Sequence, residues 1–481
     1  MSATPDFSFY WHDYETFGRV PRRDRPAQFA GVRTDAQLNE VGEPLMIYCQ
    51  PSPDTLPDPE SCLLTGITPQ TCLQRGVPEH AFAAQVLQAL GQPGTVGVGY
   101  NTIRFDDEVT RHLFWRNLID PYGREWQNQC GRWDLLDTVR CAWALRPEGI
   151  QWPRHEDGRV SFKLEHLTAA NGLAHEAAHD ALSDVRATIG LARLIRQHQP
   201  RLFDFCFKLH KKEAVWAEIG VGRPFLHISG MFPADRGCLG LVMPLGIHPS
   251  NKNELIVWDL AHDPAELLGL SLDDIRLRLF SKTADLPEGT TRLPVKSIHV
   301  NKSPVVIGNL KTLPAATAEK WGLDMAQGLR WAKWATEHAA ELAAVPWAQV
   351  FTRPQASQAP DVDEDLYGGF VGPADRRTLE RLRTLTGPAL SAKRPGFEDP
   401  RLEELLFRYR ARNWPDTLDD DEQARWQQLR HDRLHEGLGT GQTIADFLAK
   451  VDELSEAADE RGQALLGELV DYVEAIAPEL D

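Results

Sequence analysis

The stretch Phe7-Ser8-Phe9-Tyr10-Trp11-His12-Asp13-Tyr14-Glu15-Thr16-Phe17-Gly18 decides how the rest of the chain is read. Its aromatic-rich beginning is the composition of a buried strand, and the glycine ends the run. Side chains alternate faces along a strand, so Asp13 and Glu15 point to the same side, roughly 7 Å apart. Two like charges on one face of a central strand repel each other and lose hydration. A divalent cation between them removes that cost. The competing reading is an edge strand carrying two solvated acids, and Tyr10 and Trp11 beside the pair argue against it.

At 481 residues the chain is too long for one core, and two to four domains are expected. With 42% apolar and 25% charged residues the composition is that of a globular protein, and no tract is long enough to span a bilayer. The N-terminus has no basic segment followed by an apolar run, so no secretory signal is expected. Seven cysteines form neither a CxxC nor a His/Cys zinc spacing, which reads as free thiols in a reducing cytoplasm. The formal charge of −17 is unevenly spread: Asp432–Asp481 holds 13 acidic against 3 basic residues, and Arg376–Arg412 holds 10 basic against 5 acidic. The bulk charge therefore leaves nucleic-acid binding open.

Further along, Gln28–Arg33 and Leu45–Gln50 read as strands, His80–Leu90 as an amphipathic helix, and Thr95–Tyr100 as a small-residue strand buried on both faces. Asp106 opens a helix with an acidic first turn, and His179–His198 is another helix with Leu182, Val185, Ile189, Ala192 and Ile195 on one face. Residues 1–200 are thus an α/β domain. Beyond Pro200, Phe225–Ser229, Cys238–Pro244, Leu255–Leu260 and Val295–Asn301 are short strands between turn residues. They predict a small β-rich domain over 201–352 with a helix between Ala315 and Ala344. Pro354–Pro360 reads as a linker. The segment 353–481 is then an all-α domain, helical throughout from Pro373.

Asp106 follows a strand end, and His179 and Asp184 sit at a helix start, which is where open α/β sheets collect functional groups. Four carboxylates without cysteine are a ligand set for Mg²⁺ or Mn²⁺. Two such ions about 3.5–4 Å apart clamp a scissile phosphate, and an imidazole there can take the proton of the attacking water. Taken singly, Asp106 reads as a helix cap and Asp184 as a solvated helix face. The joint pattern carries the specificity.

Asp13-Tyr14-Glu15-Thr16-Phe17-Gly18, Asn101-x-x-x-Phe105-Asp106 and His179-x-x-x-x-Asp184 resemble the three motifs of the DEDDh 3′→5′ exonucleases, which have a ribonuclease H-like fold. Asp24–Phe29, Leu64–Gln70, Gly99–Thr110, Arg132–Asp137, Leu145–Ile150 and Arg410–Asn413 extend the likeness to the bacterial exodeoxyribonuclease I family, across essentially the whole chain. The resemblance implies a ribonuclease H-like mixed sheet flanked by helices, an SH3-like β-barrel and an all-α C-terminal domain. It makes Asp13, Glu15, Asp106 and Asp184 the ligands of two Mg²⁺ ions and His179 the general base. Thr16 offers its backbone to the 3′-terminal sugar, and Leu64 with Thr65 forms a wedge at the last base. The implied activity is processive, Mg²⁺-dependent 3′→5′ degradation of single-stranded DNA to 5′-mononucleotides in repair and recombination.

Holding a single strand takes cations for phosphates and flat faces for bases. Arg111, Arg116, Tyr122, Arg124, Trp126, Arg140, Arg146 and Lys163 are the candidates in the first domain, and His299–Ser303 with Asn301 and Lys302, and Asp363–Phe370 with Tyr367, beyond it. Arg408, Arg410 and Arg412 read instead as structural, able to pair with Glu403 and Glu404. The family also implies a protein partner, the acidic C-terminal tail of single-stranded DNA-binding protein. The corresponding region, Thr312–Thr317, is poor in arginine, with Arg330 and Lys333 as candidates to supply the charge. A monomer acting in the bacterial cytoplasm, without a membrane, is expected. The rivals are a related exonuclease acting on RNA or proofreading a polymerase, and a non-catalytic single-strand binder.

Overall fold

β1 (Ser8–Thr16) lies inside a mixed sheet. On one side it pairs antiparallel with β2 (Pro26–Thr34), Asp13 opposite Ala30 and Glu15 opposite Gln28. β2 in turn pairs antiparallel with β3 (Leu45–Tyr48). On its other side β1 runs parallel to β4 (Thr95–Gly99), Trp11 beside Val98. With neighbours on both edges, Phe9, Tyr10, Trp11 and Tyr14 are buried, and every residue of β4 is too, as a parallel strand requires. The order is β3-β2-β1-β4-β5, with β5 at Gly131–Asp134. Tyr10 packs so closely on β2 that a Cβ at position 31 would stand 2.3 Å from its ring, so Gly31 fits there.

The computed structural model describes residues 7–173, 180–220, 222–352, 360–439 and 441–478. By contact the chain forms two compact units, Met1–Gly131 with His175–Ile189 and Ser357–Asp481, and Arg132–Ala174 with Gly190–Ala356.

In the first unit the pairing of β1 with β4 stops at Trp11, so the last residues of β1 run on past β4. The chain leaving β4 turns at Asn101, whose φ of 66° asparagine tolerates, and enters α1 (Asp106–Arg116). Tyr10, Tyr14, Phe29, Phe82, Val86, Leu113 and Phe114 form the core beneath. α2 (Ala181–His198) brings Asp184 in its first turn. The C-terminal stretch is helical as expected, but in separate pieces, among them α3 (Arg401–Asn413), α4 (Asp420–Leu434) and α5 (Glu460–Ile476). Its apolar faces share a core with the sheet: Phe17, Ala27, Cys62 and Cys72 pack with Phe447, Leu469, Tyr472 and Ile476.

The second unit holds a curled antiparallel sheet of order β10-β6-β7-β8-β9. These strands are β6 (Phe225–Ile228), β7 (Leu239–His248), β8 (Asn251–Asp259), β9 (Val295–His299) and β10 (Val305–Ile307). Phe225, Val242, Val257, Ile298 and Val306 make its core with Leu209, Val215 and Ile219. The expected fold class is therefore present in all three parts.

Three local expectations differ from what is found. The segment expected as one helix is three, Ala315–Lys320, Met325–Glu337 and Ala339–Ala343, because Gly322 at φ 64° stops the first and Asp324 caps the second. β10 went unpredicted, being three residues long. The helices Pro59–Thr65 and Pro69–Arg75 were also unforeseen, although Asp58 and Thr68 cap them ahead of N-terminal prolines. The expected linker falls almost entirely outside the described residues.

Candidate active site

Carboxylate oxygens of Asp13, Glu15 and Asp184 lie within 4.8 Å of one another. The first two share a face of β1 through strand alternation, and the third arrives on α2. Asp106, at the start of α1, accepts a hydrogen bond from the backbone N–H of Tyr14 at 3.1 Å, which ties its carboxylate to β1 between the other two strand acids. The Tyr14 hydroxyl meets Thr110 Oγ1 at 3.0 Å, and Thr110 Oγ1 donates to the Asp106 carbonyl at 2.9 Å, so strand and helix are joined behind the acids. A register shift between Glu15 and Thr16 breaks the ladder with β2 here, a common device for re-aiming side chains beside a site.

The electrostatics follow from the crowding. Burial, with Asp106 and Asp184 close by, pushes the Asp13 carboxyl well above its ordinary range. Burial pushes Glu15 up to about 9, reinforced by Asp13, Asp184 and Asp180. Carboxylates that resist ionisation together are relieved by bound cations. An all-oxygen acidic donor set suits a hard divalent ion. Asp180 accepts from the Ser183 N–H at 3.1 Å and so caps α2. His179 lies outside the described residues.

The other predicted positions divide. Leu64 is exposed at the end of its short helix, and Thr65 accepts from the Ile67 N–H at 3.2 Å. Thr16 is buried and donates to the Gly18 carbonyl at 2.6 Å. Trp126 and Tyr367 are exposed, at 65% and 59%, with faces available for stacking. Arg111 is corrected: it is buried, its guanidinium gripped by Glu125 at 2.7 and 2.8 Å and by Glu108 at 2.7 Å. It also donates to the Tyr367 hydroxyl at 3.1 Å and lies 5.3 Å from the centre of the Tyr122 ring. Arg111 therefore braces Tyr367 instead of presenting a charge to phosphate, and Arg116 and Arg124 are likewise corrected, buried against Glu79 and Asp107. In the second unit, Arg140 pairs with Asp137 at 2.6 Å, Lys163 is exposed 3.4 Å from Glu165, Asn301 is exposed and Lys302 is half-buried.

Phe370, at the end of the expected Asp363–Phe370 stretch, is 89% exposed, its ring 6.2 Å from Tyr122. One feature escaped the sequence reading. In the second unit a groove of about 420 Å³ is lined by Leu145, Arg146, Arg201, Phe205, Ile307 and Thr312 among others. Its cations are Arg146 and Arg201. Arg330 and Lys333, expected to supply the charge beside Thr312, are not among the residues lining it; they interact with Gln327 and Glu337 on their own helix.

Comparison with known proteins accounts for nearly the whole chain. Residues 10–192 match the Exonuclease family model, 210–353 the Exonuclease I SH3-like domain and 360–476 the Exonuclease I C-terminal domain. Exodeoxyribonuclease I of Escherichia coli is 44% identical over 474 residues, 98% of each chain. The chain belongs to the exodeoxyribonuclease I family. An Exonuclease I structure from Methylocaldum szegediense superposes with a TM-score of 0.91 at 45% identity, covering 98% of this chain and 99% of that one. E. coli Exonuclease I in complex with a dA16 oligonucleotide gives 0.93 at 43%, covering 98% and 100%. The E. coli enzyme has also been solved zinc-bound with single-stranded DNA, and an SSB/Exonuclease I structure with an inhibitor is a further match. The chain is thus an enzyme of the exodeoxyribonuclease I type, with the ribonuclease H-like, SH3-like and helical parts of that family.

Proposed function

We propose that this exodeoxyribonuclease I-family chain degrades single-stranded DNA from the 3′ end, processively and to 5′-mononucleotides, in bacterial cytoplasmic repair and recombination. The observation that carries the reading is the approach of Asp13, Glu15 and Asp184 to within 4.8 Å, with Asp106 bound to the same strand. These four would hold a pair of divalent ions, Mg²⁺ or Mn²⁺. Bound there, the ions supply Lewis-acid charge at the scissile phosphate and ease ionisation of the attacking water. The chain does the rest. His179, five residues before Asp184, takes the water's proton. Thr16 receives the terminal sugar through its backbone, and Leu64 with Thr65 parts the last base from its neighbour. Trp126, Tyr367 and Phe370 offer stacking faces, while Arg140, Lys163, Asn301 and Lys302 contact the backbone of the strand. Readout is by shape and phosphate, so no base preference is expected. The working organisation is three domains, 1–200, 201–352 and 353–481, in a monomer.

The second unit's groove suits an acidic peptide with an apolar end, because Arg146 and Arg201 flank Leu145, Phe205 and Ile307. We assign to it the C-terminal tail of single-stranded DNA-binding protein, in line with the SSB/Exonuclease I structure.

The test uses a 5′-labelled DNA strand and the matching RNA, each with the protein and Mg²⁺ or EDTA. A DNA ladder shrinking from the 3′ end only with metal, RNA largely spared, is expected. Asp184→Ala should bring cleavage to background while filter binding to the strand persists. Near-normal turnover in that variant would refute the site. Retardation of DNA on a native gel without shortening would favour a binding protein.

A further inference from the structure

The Asp24–Phe29 and Arg410–Asn413 stretches resemble the family but have no part in the chemistry above. In the first unit they meet. Arg408 bonds Asp361 at 2.7 Å and Asp363 at 3.2 Å. Arg412 binds Asp54 at 2.8 Å and also Asp363. Arg433 reaches Asp54, Asp361 and Asp363 at 3.0, 2.8 and 2.7 Å. Arg25 reaches Asp363 at 3.5 Å, its one ion pair among the described residues. All seven side chains are 7% exposed or less.

Among the fully buried members the cations outnumber the acids. Four guanidiniums face three carboxylates. Glu404, partly exposed at the edge, is the fourth carboxylate, shared by Arg408 and the exposed, solvated Arg425. Arg116 is matched by Glu79. Nearby Arg22 and Arg23 lie against Glu364, with Asp24 beside them, and cancel as a group. Arg430 gives its N–H groups to the carbonyls of Pro53 and Ile476. The buried part of the group therefore leans positive, its fourth counter-charge being the partly exposed Glu404 beside Arg408, and buried charge short of a close partner is costly.

A cavity opens at that place, lined among others by Arg25, Arg433, Tyr472, Phe17 and Asp24, and its free space of about 20 Å³ suits one water-sized atom. Among the described residues lining it, Arg25, Arg433 and Tyr472 carry buried donors without an acceptor: Nε and Nη1 of Arg25, Nε of Arg433 and the Tyr472 hydroxyl. Burial, with Arg116 and Arg412 near, lowers Arg25 to about 10, as for a cation short of counter-charge.

We propose that this cavity binds a halide-sized monatomic anion, chloride under ordinary conditions, held by Arg25, Arg433 and Tyr472. The anion completes the charge of the cluster that fastens α3 and α4 to the start of β2. The free space of about 20 Å³ is on the scale of a single monatomic ion. Asp24 at the wall disfavours a second negative charge, which selects a monovalent ion.

The experiment is thermal unfolding of the full chain at fixed ionic strength, with chloride or bromide replacing gluconate, beside anomalous diffraction from bromide-soaked crystals. A saturable rise in Tm with either halide is expected, with a bromide peak between Arg25, Arg433 and Tyr472. Tyr472→Phe removes one donor that has no other partner among the described residues, so it should fold and move the halide midpoint up about fivefold. A Tm that follows ionic strength whatever the anion, or bromide-free density in the cavity, overturns the proposal. An unshifted midpoint in Tyr472→Phe removes the effect from this cavity.

Discussion

Glu15 shows what the site costs the fold. Its carboxyl sits near 9 in the folded chain against an ordinary 4.5, so between those values the folded state holds a proton that the unfolded state releases. Stability from this group is therefore greatest at or below the lower value and is lost as the pH rises toward the upper one. In EDTA, Tm should fall between pH 5 and pH 8.5 more steeply for the wild type than for Glu15→Gln, and Mg²⁺ should flatten the wild-type slope. Parallel slopes for the two proteins would mean that Glu15 is not strained. Exposed rings at Trp126 and Phe370 lead to a different expectation. Base stacking contributes about 1–3 kcal/mol per base, so Trp126→Ala or Phe370→Ala should weaken binding of single-stranded DNA roughly 5- to 150-fold. Hydrolysis of bound strand, followed in single turnover, should change little. Arg111 was legible only as a cation. That two glutamates already occupy its guanidinium depends on Glu125, fourteen residues on and past the end of α1.

At the scale of elements, α3 separates two kinds of arginine that its sequence alone presents alike. The structural reading of Arg408, Arg410 and Arg412 holds, but helical spacing pointed to Glu403 and Glu404 as partners. Only Arg408 takes one of them, Glu404 at 2.7 Å. Arg410 binds Glu422 on α4, and Arg412 binds Asp54 and Asp363. Asn413 completes the motif by meeting His80 Nδ1 at 2.8 Å. Removing one member of a buried ion group strands its partners, at a cost of about 3–5 kcal/mol. Arg412→Met should lose that much stability in urea unfolding. Arg425→Ala, whose pair is solvated, should stay within about 1 kcal/mol. Equal losses would show that burial does not distinguish the pairs.

For the whole molecule, the groove at Arg146 and Arg201 should separate partner binding from catalysis. Arg146→Ala and Phe205→Ala should weaken an acidic, apolar-ended peptide in fluorescence polarisation and leave cleavage of free single strands unchanged. A parallel loss of cleavage would put these residues in the DNA path. The sequence by itself determined the acid pair on β1, the helix starts that carry Asp106 and Asp184, and the three-part fold class. Each of these is encoded by alternation, by capping chemistry or by motifs a few residues long. Tertiary structure alone decided which cations are available. Arg111, Arg408 and Arg412 find carboxylates from distant stretches, and the charge beside Thr312 comes from Arg146 and Arg201. The physical reason is range. Local periodicity reports neighbours within about one helical turn, whereas the partner of a buried charge is chosen by packing between segments 14 to 358 residues apart.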